Sequence, residues 1–281
     1  MILTSTVVLA QGEEGEKKLG WSQSADLSYV LTAGNSDTTT LGLSYKGTRS
    51  WTKSSLSLLF TGIRAQTDNE VAVCSDGTCA LPTDFELVAL KEVTAENYFA
   101  EARYDRNISK KLFWFVGGSW YRNVPSGLDD RYIGFAGLGN TWWDREDLVF
   151  KTDYALSYVK EQDAIPDPTK DDTFAGFRFA WDYHNAFGKT MAYDNDFIVN
   201  LNLEETSDYQ LNMINAFSVA MTEKLALKVS LQWLYDNDPA LVSIGLFTID
   251  PNDPGSIMVD TIDVLADELD TIFRTSLVID F

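Results

Sequence analysis

One histidine stands in this chain of 281 residues, His184, with Asp182, Tyr183 and Asn185 around it. A histidine beside a carboxylate can serve as general base for a serine or a water, and envelope lipases join Ser, His and Asn in this way. The residues around His184 alternate apolar and polar, which sets it on the polar face of a strand, close to a short turn. A base acting on lipid must face lipid near the opposite rim, so side and height both argue for an interior or turn histidine. Cys74 and Cys79 lie together in "CSDGTC". In an exported protein they read as a disulfide closing a small loop, since a metal site would need further Cys or His nearby. Paired carboxylates such as Asp129/Asp130, Asp171/Asp172 and Glu204/Glu205 could form a glycosidase pair, but they fall in loops or at strand ends, where solvated charge is the plainer reading. "GGSW" and "GFAGLGN" lack the Lys-Ser/Thr of a phosphate loop and lie in strands.

A formal net charge of −20 argues against a nucleic-acid surface, which needs a basic patch. No cofactor motif, metal cluster or EF-hand spacing is present in the sequence. Eight Trp, 12 Tyr and 16 Phe are many for a soluble domain of this length and suit the aromatic girdles of a membrane barrel. No run of 18 apolar residues supplies a spanning helix, whereas a spanning strand needs only about 9–11 residues with alternate side chains facing lipid.

Such strands recur about every twenty residues. Trp21, Ala25, Leu27, Tyr29 and Leu31 oppose Ser22, Ser24, Asp26 and Ser28. Leu225, Leu227, Val229, Leu231 and Trp233 oppose Lys228, Ser230 and Gln232. Comparable segments near 41–46, 148–158, 175–184 and 191–203 are clear; those near 54–66, 95–105, 111–123, 130–143 and 208–221 are less so. "LFWFVGGSWY" does not declare which face is which. The count is about twelve, an even number. "RSWTK", "NISKK", "WDRED", "NAFGK" and "MTEK" make short turns, and they alternate with connections that include long ones near 67–94, 161–172 and 236–265. The fold class that follows is all-β: a transmembrane antiparallel up-and-down barrel with short periplasmic turns and longer extracellular loops. Residues 20–281 form the barrel. Residues 1–19 form a signal-peptide remnant, with Val8-Leu9-Ala10 as its cleavage site, and a short N-terminal segment.

The polar faces carry Asp26, Glu101, Asp153, Asp182, Asp194 and Asp196 against Lys46, Arg103, Lys151, Arg178, Lys228 and Arg274. That balance predicts ion-paired ladders inside the barrel. The excess negative charge then belongs to the loops. No Lys or Arg occurs between Asp236 and Arg274, while Asp238, Asp250, Asp253, Asp260, Asp263, Asp267, Glu268 and Asp270 do.

"GWSQSADLSYVLTAGNSDTTTLGLSY", "YFAEARYDRNISKKLFWF", "GLDDRYIGFAGLGNTWW", "LALKVSLQWLYDNDP" and "LDTIFRTSLVIDF" together resemble domain-of-unknown-function family 481, whose members carry the label of salt-induced outer-membrane proteins. The resemblance implies this fold and the outer membrane of a Gram-negative bacterium, with no established activity. The ending, with Phe281, Ile279 and Leu277 on one face, resembles the signal by which barrel-assembly machinery reads outer-membrane proteins. Two functions are expected of such a chain. One is a narrow channel whose acidic mouth favours cations. The other is a non-conducting scaffold or surface-binding barrel that meets lipopolysaccharide or a partner through its loops, with divalent cations shared between loop carboxylates and lipid phosphates. An outer-membrane hydrolase would rest on His184 alone.

Overall fold

The computed structural model describes residues 19–32, 37–74, 85–168, 170–247 and 258–280. Period-two segments become strands throughout. In chain order these are β1 (Gly20–Thr32), β2 (Asp37–Ser50), β3 (Ser54–Cys74), β4 (Phe85–Asn107), β5 (Leu112–Asn123), β6 (Leu128–Asp144) and β7 (Leu148–Asp163). There follow β8 (Thr173–Phe187), β9 (Met191–Asn202), β10 (Tyr209–Ala220), β11 (Leu225–Asp236), β12 (Leu241–Phe247), β13 (Met258–Leu265) and β14 (Leu269–Asp280). Twelve of them close an antiparallel barrel in which each strand pairs with its chain neighbour. β12 and β13 leave the wall as a separate hairpin, so β14 pairs with β11 on one side and with β1 on the other. Closure removes every free edge that a membrane would penalise.

Side-chain parity divides inside from outside. On β1, Ser24 and Asp26 are buried while Trp21 and Leu27 are exposed; on β7, Asp153, Ala155 and Ser157 are buried while Tyr154, Leu156 and Tyr158 face out. The outward apolar face runs around the wall, through Leu41, Val116, Leu138, Leu156, Phe217 and Phe273. Aromatic pairs border it at the short-turn end, where Tyr104 meets Trp114 and Trp143 meets Phe150. On β7, Phe150 and Tyr158 lie eight residues apart, roughly 26 Å along a strand at about 3.3 Å per residue, which matches a tilted crossing of an apolar layer.

Two connections differ from the expectation. The stretch 67–94 is mostly paired strand, not loop: β3 and β4 stay in register six pairs past Asp37↔Asp68, the last β2 partner, through Cys74↔Phe85. The stretch 236–265 contains the β12–β13 hairpin, whose Val242↔Val264 and Ile244↔Ile262 pairs hold it together. The expected leader, Cys79 of the proposed disulfide, the side chain of Cys74, and Phe281 lie outside the described residues.

Candidate functional site

A barrel of twelve strands encloses more space than one of eight, so small inward side chains would leave an aqueous channel. This interior is occupied instead. Glycines on one wall make room for rings on the next. Gly117 of β5 lies so close to Phe135 of β6 that an added Cβ would meet the ring at 2.6 Å, and Gly139 sits against the Phe113 ring. Phe113, Phe115, Ile133, Phe135, Ala155, Val159 and Phe174 thus form an apolar cluster inside the barrel. This explains why "LFWFVGGSWY" shows no polar face: Phe113 and Phe115 point inward while Trp114 and Val116 point outward.

Long cationic side chains cross the remaining space. Arg103 of β4 reaches Asp153 on β7, bonds Asp105 at 2.7 Å, and lays its guanidinium 3.9 Å from the Phe115 ring centroid. Arg178 of β8 approaches Glu101 of β4 at 3.4 Å and lies 4.5 Å from the centroid of Phe135. Lys228 of β11 pairs with Asp26 of β1, and Arg274 of β14 donates to Gln232 at 2.8 Å. Nearer the short turns, His184 contacts Asp194 at 2.7 Å. There Asp182 is the direct cross-strand neighbour of Asp196 and of Lys151, and Lys46 lies within electrostatic reach of Asp196. On their strands the twelve charged positions singled out in the sequence share the parity of the buried residues. His184 shares it too, away from lipid.

The network at the long-loop end was not anticipated. Arg131 of β6 pairs with Glu161 of β7 at 2.6 Å, donates to Gln210 of β10 at 2.7 Å, and approaches Asp236 of β11 at 3.6 Å. The signal available was Arg131 itself, sharing parity with Ile133 and Phe135. What the sequence could not show is that Glu161, Gln210 and Asp236 come from three other strands to meet it. Above it, the 3-10 turn Val124–Ser126 ends at Gly127, whose φ of 77° requires a glycine, and Gly127 lies against Ala240 and the backbone of Leu241 at the base of the β12–β13 hairpin. Ser126 donates to Asp270 at 3.1 Å, and Lys170 donates to the Asp238 carbonyl at 2.7 Å. These groups enclose a cavity of about 70 Å³ bordered by Tyr121, Arg131, Asn212 and Asp236. That is room for a few waters. In the β9–β10 connection Asp208 is 4% exposed, and its burial raises the carboxyl pKa, an effect the Asn202 amide partly offsets.

Every wall strand contributes a buried inward side chain. Asp26, Ser44, Thr61, Phe99, Phe115 and Phe135, one from each of β1 to β6, are at most 9% exposed. So are Asp153, Arg178, Ile198, Ile214, Lys228 and Val278, one from each remaining wall strand.

No curated protein matches the chain. Among solved structures it is similar to the NanC porin, at 9% identity over 93% of this chain and 100% of that one with a TM-score of 0.45. It is also similar to a KdgM porin in complex with disordered oligogalacturonate, at 9% identity, 92% and 99% coverage and a TM-score of 0.42. An anion-selective porin from Comamonas acidovorans gives 10% identity, 93% and 99% coverage and a TM-score of 0.39. The family profile described as "Protein of unknown function, DUF481" matches residues 25–241, most of the barrel wall, and the chain belongs to that family.

Proposed function

We propose that this protein is an outer-membrane β-barrel whose lumen is closed by its own side chains, and that it acts as an envelope scaffold or surface-binding barrel. The observation that carries this reading is the burial of an inward side chain from every one of the twelve wall strands. The membrane location is supported by the continuous apolar outer face, its aromatic borders, and short turns at one end against longer connections at the other. In this reading the short turns are periplasmic and the acidic segment from Asp236 to Asp270 lies outside, where divalent cations would link it to lipopolysaccharide phosphates. β14 presents Leu277 and Ile279 outward, the face that the assembly machinery would read.

The test is planar-bilayer conductance of refolded protein whose folding is verified by heat-shifted gel mobility. The expected result is a silent bilayer. Discrete conductance steps would overturn the closed-lumen reading and favour the second one, a narrow channel gated by the Arg103 and Arg178 layers. That reading draws on the carboxylates of the long-loop end, which would make any current cation-selective under a salt gradient.

A further inference from the structure

The short-turn rim carries a charge opposite to that of the whole molecule. No Asp or Glu occurs between Asp37 and Asp68, nor between Asp105 and Asp129. These two stretches supply the adjacent β2–β3 and β4–β5 turns, which the Asn107 N–H joins by donating to the Lys53 carbonyl at 2.8 Å. Arg49, Lys53, Arg106, Lys110 and Lys111 are brought together there, all exposed. Among the described residues none of them takes part in an ion pair, whereas the interior arginines Arg103, Arg131 and Arg178 all do. Apolar and aromatic outer wall lies directly beside them. The Arg49 guanidinium sits 5.8 Å from the ring centroid of Trp21 and 5.1 Å from that of Trp51. Arg106 is the cross-strand neighbour of Trp114.

We propose that this quadrant of the rim binds the phosphodiester headgroups of anionic phospholipids in the periplasmic leaflet. The inference rests on the membrane reading above. Trp21, Trp51 and Trp114 fix the depth, because interfacial Trp settles at headgroup level. Arg49, held by stacking, presents donors to a phosphate there, and the lysines of the two turns add charge just beyond it. The site selects negative headgroups by charge, and the protein's acidic opposite end does not repel them because it lies across the bilayer.

The test uses the full chain refolded into vesicles of three parts phosphatidylcholine to one part phosphatidylglycerol. Bromine is placed on the acyl chains of one lipid or the other, at equal mole fraction of brominated lipid. Tryptophan quenching by brominated phosphatidylglycerol should exceed that by brominated phosphatidylcholine about two-fold, and 0.5 M NaCl should shrink the excess. The variant R49Q/K53Q/K110Q/K111Q should lose the excess, while R145Q/K189Q/K224Q on other short turns should keep it. Equal quenching by both lipids in folded wild-type protein, or an excess that survives in the quadruple variant, overturns the lipid site. Absence of quenching by either lipid would instead overturn the membrane reading, and the site with it.

Discussion

Arg103 is held between two carboxylates and two phenyl rings, and the balance of its surroundings is what makes it hard to replace. Removing the guanidinium leaves the buried Asp153 and its neighbour Asp105 without their shared partner, so Arg103→Leu should cost about 3–5 kcal/mol in urea unfolding of the vesicle-embedded barrel. Adding Asp153→Asn should recover part of that loss, which a double-mutant cycle would read directly. Asp208 poses the opposite problem. Its pKa is raised chiefly by burial, so the stability it lends the β9–β10 connection is complete below the ordinary aspartate value of about 3.9 and is lost as pH rises through its higher folded value. Hydrogen exchange in the Asn202–Tyr209 turn, corrected for intrinsic rate, should therefore show less protection at pH 7 than at pH 4, and Asp208→Asn should remove the difference. The charged interior positions were legible one by one, because parity alone assigns a face. Their partners were not, since Arg103 reaches Asp153 three strands away and that offset depends on the shear of the closed wall.

Among the elements, β5 and β6 supply four of the seven residues of the interior apolar cluster, and their glycines let neighbouring backbones and rings approach. Gly137 is the sharpest case: a Cβ there would strike the backbone of Tyr154 and Ala155, which has no means of yielding. Gly137→Val should destabilise the barrel by about 1–3 kcal/mol or more, seen as a lower temperature for loss of the fast-migrating folded band. Of these two strands, β5 was the one that declared no face, since a strand apolar on both faces has no periodicity to reveal. The clean alternation of β1 and β11, by contrast, gave both their extent and their faces. The β12–β13 hairpin stands outside the wall, with its base packed on Gly127 at the long-loop end. Replacing residues 241–265 by a short glycine-serine linker should leave the bilayer silent, whereas Phe115→Ala with Phe135→Ala and Arg103→Ala should produce a measurable leak.

Across the whole molecule the inward charges are largely matched, so the imbalance of −20 is carried toward the surface and is distributed unevenly. Acidic residues crowd the connections at one end, and cations without an ion pair among the described residues gather on two turns at the other. The barrel architecture, its even strand count and the alternation of short with longer connections could be read from sequence because they repeat along the chain. The grouping of Arg49 and Lys53 with Arg106, Lys110 and Lys111 could not, since it requires knowing that the two turns are neighbours. This segregation gives the protein a permanent dipole along its axis, and a dipole has a preferred direction in a field. Moving one elementary charge through 100 mV changes its energy by about 2.3 kcal/mol. The acidic connections are the part that must cross when the barrel enters a preformed bilayer. Insertion from one chamber should thus be faster, and leave the population more uniformly oriented, when the far chamber is held positive, and reversing the polarity should slow it.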